Sequence, residues 1–284
     1  MRAEHGGCVM GSTLNVYGRA VLGAIKKPAP GPVPTRTLTR TVTIDPDAVA
    51  QFNTVTGLPV NNNVPAPYLH TLGFGPSLEL MTAPDFPVPV LGMVHVYNRF
   101  TQHARVPMGA EVTLQISVSR PRARDAGSEL DVIVHGSVNG EAVFEDVSTY
   151  FAKKTKLPEA DEPAPARRLD LPDGSAVATW KFPAGLGERY ARVSGDYNVI
   201  HLNSLAARAF GFPRAIAHGM YTASKAFAQS NVVAEAFVWD VQFAKPILLP
   251  GRAEVLVDRT DGVRVGVVRP KDGAPHLVSL VREV

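Results

Sequence analysis

The chain has 284 residues, 45% hydrophobic and 19% charged, with a formal net charge of +3 and one cysteine, Cys8. This is enough apolar surface for one large or two moderate cores, and it excludes a disordered chain. The mild charge suits anionic small molecules but lacks the clustered basic stripe of a nucleic-acid binder, and a lone cysteine excludes an internal disulfide or a thiolate metal cluster.

No apolar run reaches the roughly 18 residues a membrane span needs. The first dozen residues contain Glu4, His5 and Gly6-Gly7 and no apolar stretch, so they do not read as a secretory signal. They read as a tail, with Met10 a candidate start, and the expected location is cytoplasmic.

In chain order, Asp45 and Pro46 predict the cap and first turn of a helix through Val49 and Phe52 that stops at Gly57. A second helical stretch runs from about Pro67 to Ala83 with Leu69, Leu72, Leu78 and Met81 apolar, interrupted by Gly73, Gly75 and Pro76. Strands are expected near 91–104, 110–119, 129–137 and 141–151, with Asn139-Gly140 as a hairpin turn. Four prolines among charges between Ala152 and Asp173 predict a semi-extended linker rather than core. Beyond it, Asn203 caps a helix through Ala206 and Ala209 that ends at Gly211, and another helix runs from Gly219 to about Val233. Strands follow near 237–244, 252–258, 262–268 and 276–283, with turns at Asp261-Gly262 and Asp272-Gly273.

Each half therefore places helix first and consecutive strands after, which is α+β grammar; a curved sheet wrapped around a helix buries that helix on most sides. The halves also resemble each other. NRFTQHARVPMGAEV around Phe100 and VQFAKPILLPGRAEV around Phe243 align at an offset of 143, which sets Asn53 against Asp196 and Pro76 against Gly219.

The densest chemistry lies between Tyr190 and Thr222. Asp196, Asn198 and His201 fall within six residues, and Ile216-Ala217-His218-Gly219 follows. An acid, an amide and an imidazole in one turn can hold a water, and a glycine opening a helix can offer its N–H to a carbonyl oxygen. Ser194 reads as a capping residue, since no Ser-His-acid arrangement supports it as a nucleophile. Tyr190 reads as pocket lining or core, and His218 as a locally bonded neighbour of the glycine. A metal site is not expected, because no His-x-x-x-His pair occurs and Asp196 and His201 have no third ligand near them in sequence. Arg189, Arg192, Arg208, Arg214 and Lys245 are candidate contacts for a phosphate-bearing carrier.

The run Tyr190, Ser194-Gly195-Asp196, Asn198, His201, Asn203, Gly211-Phe212 and Ile216-Ala217-His218-Gly219 resembles the signature of the MaoC-like (R)-specific enoyl-CoA hydratases and 3-hydroxyacyl-thioester dehydratases. It departs from that signature at Val199, where family members commonly carry proline. The resemblance implies a double hotdog, with an N-terminal unit over 1–155, a linker over 156–175 and a catalytic unit over 176–284. The N-terminal unit has no Asp-x-Asn-x-x-His run and reads as catalytically degenerate, and the gap its interrupted helix would leave in the core is expected to bind the acyl chain. It implies a hydro-lyase of fatty-acid metabolism in which Asp196 and His201 hold the catalytic water, Asn198 orients it and the Gly219 amide receives the oxyanion. Tyr190, Ser194, Phe212, His218 and Met220 would contact substrate. The substrate is expected on coenzyme A or acyl carrier protein, with no other cofactor and no nucleic-acid or membrane partner; whole-chain dimerisation is open. A hotdog acyl-CoA thioesterase and a non-catalytic acyl-thioester-binding subunit are the alternatives.

Overall fold

The computed structural model describes residues 31–90 and 93–284; Cys8, Met10 and the expected tail lie outside these. In the first half, β1 (Leu38–Thr43) leads to α1 (Pro46–Thr56) and α2 (Ala66–Met81), followed by β2 (Met93–Gln102), β3 (Glu111–Val118), β4 (Arg122–Arg124), β5 (Gly127–Val138) and β6 (Glu141–Lys153). The second half repeats the order. It runs β7 (Ala178–Phe182), α3 (Leu186–Ser194), α4 (Val199–Leu202), α5 (Ser204–Ala209), α6 (Gly219–Phe227), β8 (Phe237–Phe243), β9 (Gly251–Asp258), β10 (Val263–Val268) and β11 (Pro275–Glu283).

All eleven strands form one sheet in the order β1-β3-β5-β6-β2-β8-β11-β10-β9-β7, with β4 paired to β5. The halves meet where β2 and β8 run antiparallel, with Asn98 opposite Val241 and Phe100 opposite Trp239. The sheet is thus continuous across a pseudo-dimer. Its inner face carries Phe100, Leu114, Ile116, Val132, Trp239, Val255 and Leu277, and α2 and α6 lie against this face and touch each other.

Several local signals act as expected. The Asp45 carboxylate accepts from the Asp47 amide, and α1 ends on Gly57 at φ 77°. Asn139 and Gly140 both take positive φ, 52° and 85°, as a tight hairpin turn requires. Three expectations need correction. First, α2 is not interrupted: it passes through Gly73, Gly75 and Pro76, and a Cβ at Gly73 would stand 2.9 Å from Val134, so that glycine closes the packing rather than leaving a gap. Second, α6 ends at Phe227, well before Val233, where the Ser230 hydroxyl donates to the Phe227 carbonyl. Third, the linker is irregular but is laid along the sheet. Its Leu157 is buried, and the Leu169 amide donates to Gln242. Arg167 lies over the Tyr97 ring at 5.3 Å and near Glu129 and Asp131.

The offset of 143 also fails at the helices. The residue standing where Gly219 opens α6 is Ala66, the first residue of α2; each follows an antiparallel bridge, Asn63 to Pro107 and Ile216 to Leu248. Between the two left-handed glycines and these helix starts, nine positions separate Gly57 from Ala66 and 24 separate Gly195 from Gly219. The longer connection in the second half carries α4, α5 and the whole Asp-x-Asn-x-x-His run.

Candidate active site

The site is built from turns that close on themselves. Helix α3 ends when the Ser194 hydroxyl donates to the Tyr190 carbonyl at 2.8 Å, and the same oxygen accepts the Asp196 amide at 3.2 Å. The Asn198 amide then donates to Asp196 Oδ1 at 3.1 Å, and Asn198 Oδ1 accepts the Ile200 amide as the cap of α4. Short polar side chains bonding the backbone two residues on are what such a turn requires. One turn of α4 places His201 indoors, with Nδ1 2.9 Å from the Ile216 carbonyl. A carbonyl only accepts, so His201 carries its hydrogen on Nδ1 and presents Nε2 as a lone pair.

His218 comes in from the other side of the connection. Its Nε2 donates to the Asp196 backbone carbonyl at 2.9 Å and lies 3.8 Å from Oδ2, while its ring stacks on His201 at 3.8 Å. Ligating atoms of Asp196, His201 and His218 all fall within 4.8 Å of one another. The expectation that no third group stands near the Asp196–His201 pair is therefore wrong in space. The bonding pattern still disfavours a cation: the His218 nitrogen facing Asp196 carries a hydrogen, and Nδ1 alone is left to ligate. A water taking hydrogen bonds from and giving them to Asp196 and His201 suits this arrangement better.

Burial pushes the His201 and His218 imidazoles toward the neutral form. His218 is driven down to about 3 by burial and by the adjacent His201, and His201 moves in the same direction against the opposing pull of Asp196. Gly219 begins α6 beside them, and a Cβ there would stand 2.9 Å from the Phe243 ring, so the glycine lets the helix start sit directly on that ring.

These groups line a cavity of about 560 Å³, within the usual range for a ligand site. Asn198, Phe212, Met220, Ser194 and Tyr190 all contribute to its wall. Tyr190 is almost wholly buried, packed on His218, Phe52 and Tyr221. Of the five candidate cations, Lys245 lines the cavity, whereas Arg208 and Arg214 are turned to the carbonyls of Pro213 and Pro250. The opposite wall comes from the first half: Thr71, Phe74, Leu78 and Met81 of α2, Val90, and Met93 of β2. His70, His95 and Tyr150 also face this cavity. None of the three was expected from the sequence; the signal for Tyr150 is the run of alternate polar residues Asp146, Ser148 and Tyr150 on β6, which puts polar groups on a face expected to be apolar.

Two sheet halves, each packed on a helix and joined edge to edge, define a double hotdog whose cavity is lined by the Asp196–His201 acid–imidazole pair. The "MaoC like domain" family matches residues 183–274. The chain is 36% identical over 244 residues to 3-hydroxyacyl-thioester dehydratase X of Mycobacterium tuberculosis, covering 84% of this chain and 86% of that protein. The chain belongs to the MaoC-like dehydratases. Among solved structures, HtdX of Mycobacterium tuberculosis matches with TM-score 0.77 and 32% identity over 88% of this chain and all of that one. A MaoC-like dehydratase from Phytophthora capsici shares the fold at TM-score 0.70 and 18% identity over 89% of this chain and 98% of that one.

Proposed function

We propose that this chain is a hydro-lyase that reversibly hydrates trans-2-enoyl thioesters to (R)-3-hydroxyacyl thioesters in fatty-acid metabolism, the activity class named for its 36% identical relative. The observation that carries the reading is the convergence of Asp196, His201 and the Gly219 helix start on one cavity. In the hydration direction, the water oxygen bonds to C3 as His201 Nε2 takes one of its protons. The double-bond electrons pass to the thioester oxygen, whose developing charge meets the Gly219 N–H at the positive end of α6. The proton then returns to C2 through the Asp196–His201 pair, so one water is added across the double bond. A positioned acid–base pair is worth about 10²–10⁴-fold and one oxyanion donor about 10²–10³-fold. The apolar wall of α2 supports acyl-chain binding by the N-terminal unit, and Lys245 at the cavity supports contact with an anionic carrier.

Asp196→Asn and His201→Gln test the assignment. Each should lower turnover of a trans-2-enoyl-CoA by at least about 10²-fold with the fold intact by circular dichroism. Loss of enoyl absorbance without release of free thiol marks hydration. Thiol release instead marks hydrolysis and overturns the reading.

A further inference from the structure

The N-terminal half contains a buried polar network that an acyl-binding wall does not need. Asp146, Ser148 and Tyr150 alternate along β6 and share its inner face. Asp146 accepts from Asn98 at 2.7 Å and meets His70 Nδ1 at 2.6 Å, while the Ser148 hydroxyl donates to Asn98 Oδ1 at 2.8 Å. His70, Asn98, Asp146 and Ser148 are all buried. Burying so many polar groups is costly unless each is matched, and here they are matched to one another, with Tyr150 next along the same face of the strand.

The backbone is adjusted around the same residue. Asn98 pairs with Ser148, so an undisturbed ladder would set Val96 opposite Tyr150. A register shift between His95 and Tyr97 sets His95 there instead. A bulge of one residue turns a different side chain to the same face. The His95 ring then stacks on Tyr150 at 4.8 Å and meets Phe243 at a tilt, 4.7 Å between ring centres, and Phe243 is the ring beneath Gly219. A chain of three touching rings thus ties Tyr150 to the oxyanion position. Burial, with Asp196 and Asp146 beside it, raises the phenol above its usual range, so it stays a donor.

We propose that Tyr150 is a further catalytic residue of this reaction, its phenol donating a hydrogen bond to the C3 oxygen of the substrate while Asp196 and His201 hold that oxygen from the other half. This rests on the function proposed above. The bond stabilises charge on the oxygen as it enters or leaves, with no proton transferred from the tyrosine.

Tyr150→Phe keeps the ring and its stacking and removes the donor. On a four-carbon trans-2-enoyl-CoA, too short to lean on the α2 wall, kcat should fall about 10- to 10²-fold with KM changed by less than about threefold. A long-chain substrate should show the same loss. Ser148→Ala, outside the cavity wall, should cost less, and should add nothing once Tyr150 is Phe. Unchanged kcat overturns the proposal, as does a loss confined to KM of the long substrate, which would make Tyr150 a wall residue. If the unmutated protein hydrates no enoyl thioester, the underlying function fails, and that outcome is visible before any Tyr150 variant is made.

Discussion

Three features of one side chain support the proposed role of His201 as the base. Its Nδ1–H is committed to the Ile216 carbonyl, burial holds the ring neutral, and Asp196 stands close enough to steady the positive charge that forms when Nε2 takes a proton. His218 and His95 are also driven toward neutrality, each to about 3 and each chiefly by burial. Unfolded imidazoles take up protons near pH 6.5, while these folded ones resist until much lower, so the unfolded state binds more protons between those limits. Stability should be full above about pH 6.5 and decline as pH falls from there toward about 3; thermal midpoints across that range check it. The kcat/KM profile should stay level through pH 6.5, with its acid limb below. An acid limb above pH 7 would contradict a neutral, buried His201.

Between helices, the crossing of α4 over Gly187 helps to set where the imidazole stands. Gly187 lies in the first turn of α3 where the end of α4 crosses it, and a Cβ there would fall 1.9 Å from the His201 carbonyl oxygen. That neighbour is backbone and cannot swing aside, so Gly187→Ala must push α4 and His201 outward. The variant should lose about 1–3 kcal/mol in urea unfolding and at least about tenfold in kcat/KM. Elements with chemical punctuation were readable in advance: Asp45-Pro46 and Gly57 bound α1, Asn139-Gly140 turns β5 into β6, and Asn203 caps α5 by accepting from Leu205 and Ala206. Helix α3 was not read, although Leu186, Tyr190 and Ala191 form its buried side, because no capping side chain marks its start. Strands β1 and β7 were missed as well, being short sheet edges of six and five residues. Helix α2 was misread because glycine and proline ordinarily break helices. Here the sheet presses against Gly73, and tertiary packing holds the helix through Pro76.

The whole molecule is held together at the β2–β8 seam. Asp240 accepts from Tyr97 at 2.6 Å and from Arg99 at 2.7 and 3.0 Å, and the linker crosses the outer face with Arg167 over Tyr97. With one sheet and a cavity walled by both halves, the two units should unfold as one. Calorimetry should show a single transition, and Asp240→Ala should move it down without splitting it. Two separated transitions would mean the halves are stable alone.

The amino-acid sequence by itself determined the α+β repeat, the caps and turns, and the Asp-x-Asn-x-x-His run with its following glycine, because these depend on residues within a few positions of one another. Tertiary structure alone decided which residues face the cavity across the seam. His218 meets Asp196 across 22 residues, and a bulge in β2 brings His95 opposite Tyr150. The helix start that corresponds to Gly219 is Ala66 rather than Pro76, since a 15-residue difference in connection length shifts the repeat. Contacts of that kind are set by strand register and by the closing of one sheet on two helices, which no local pattern encodes.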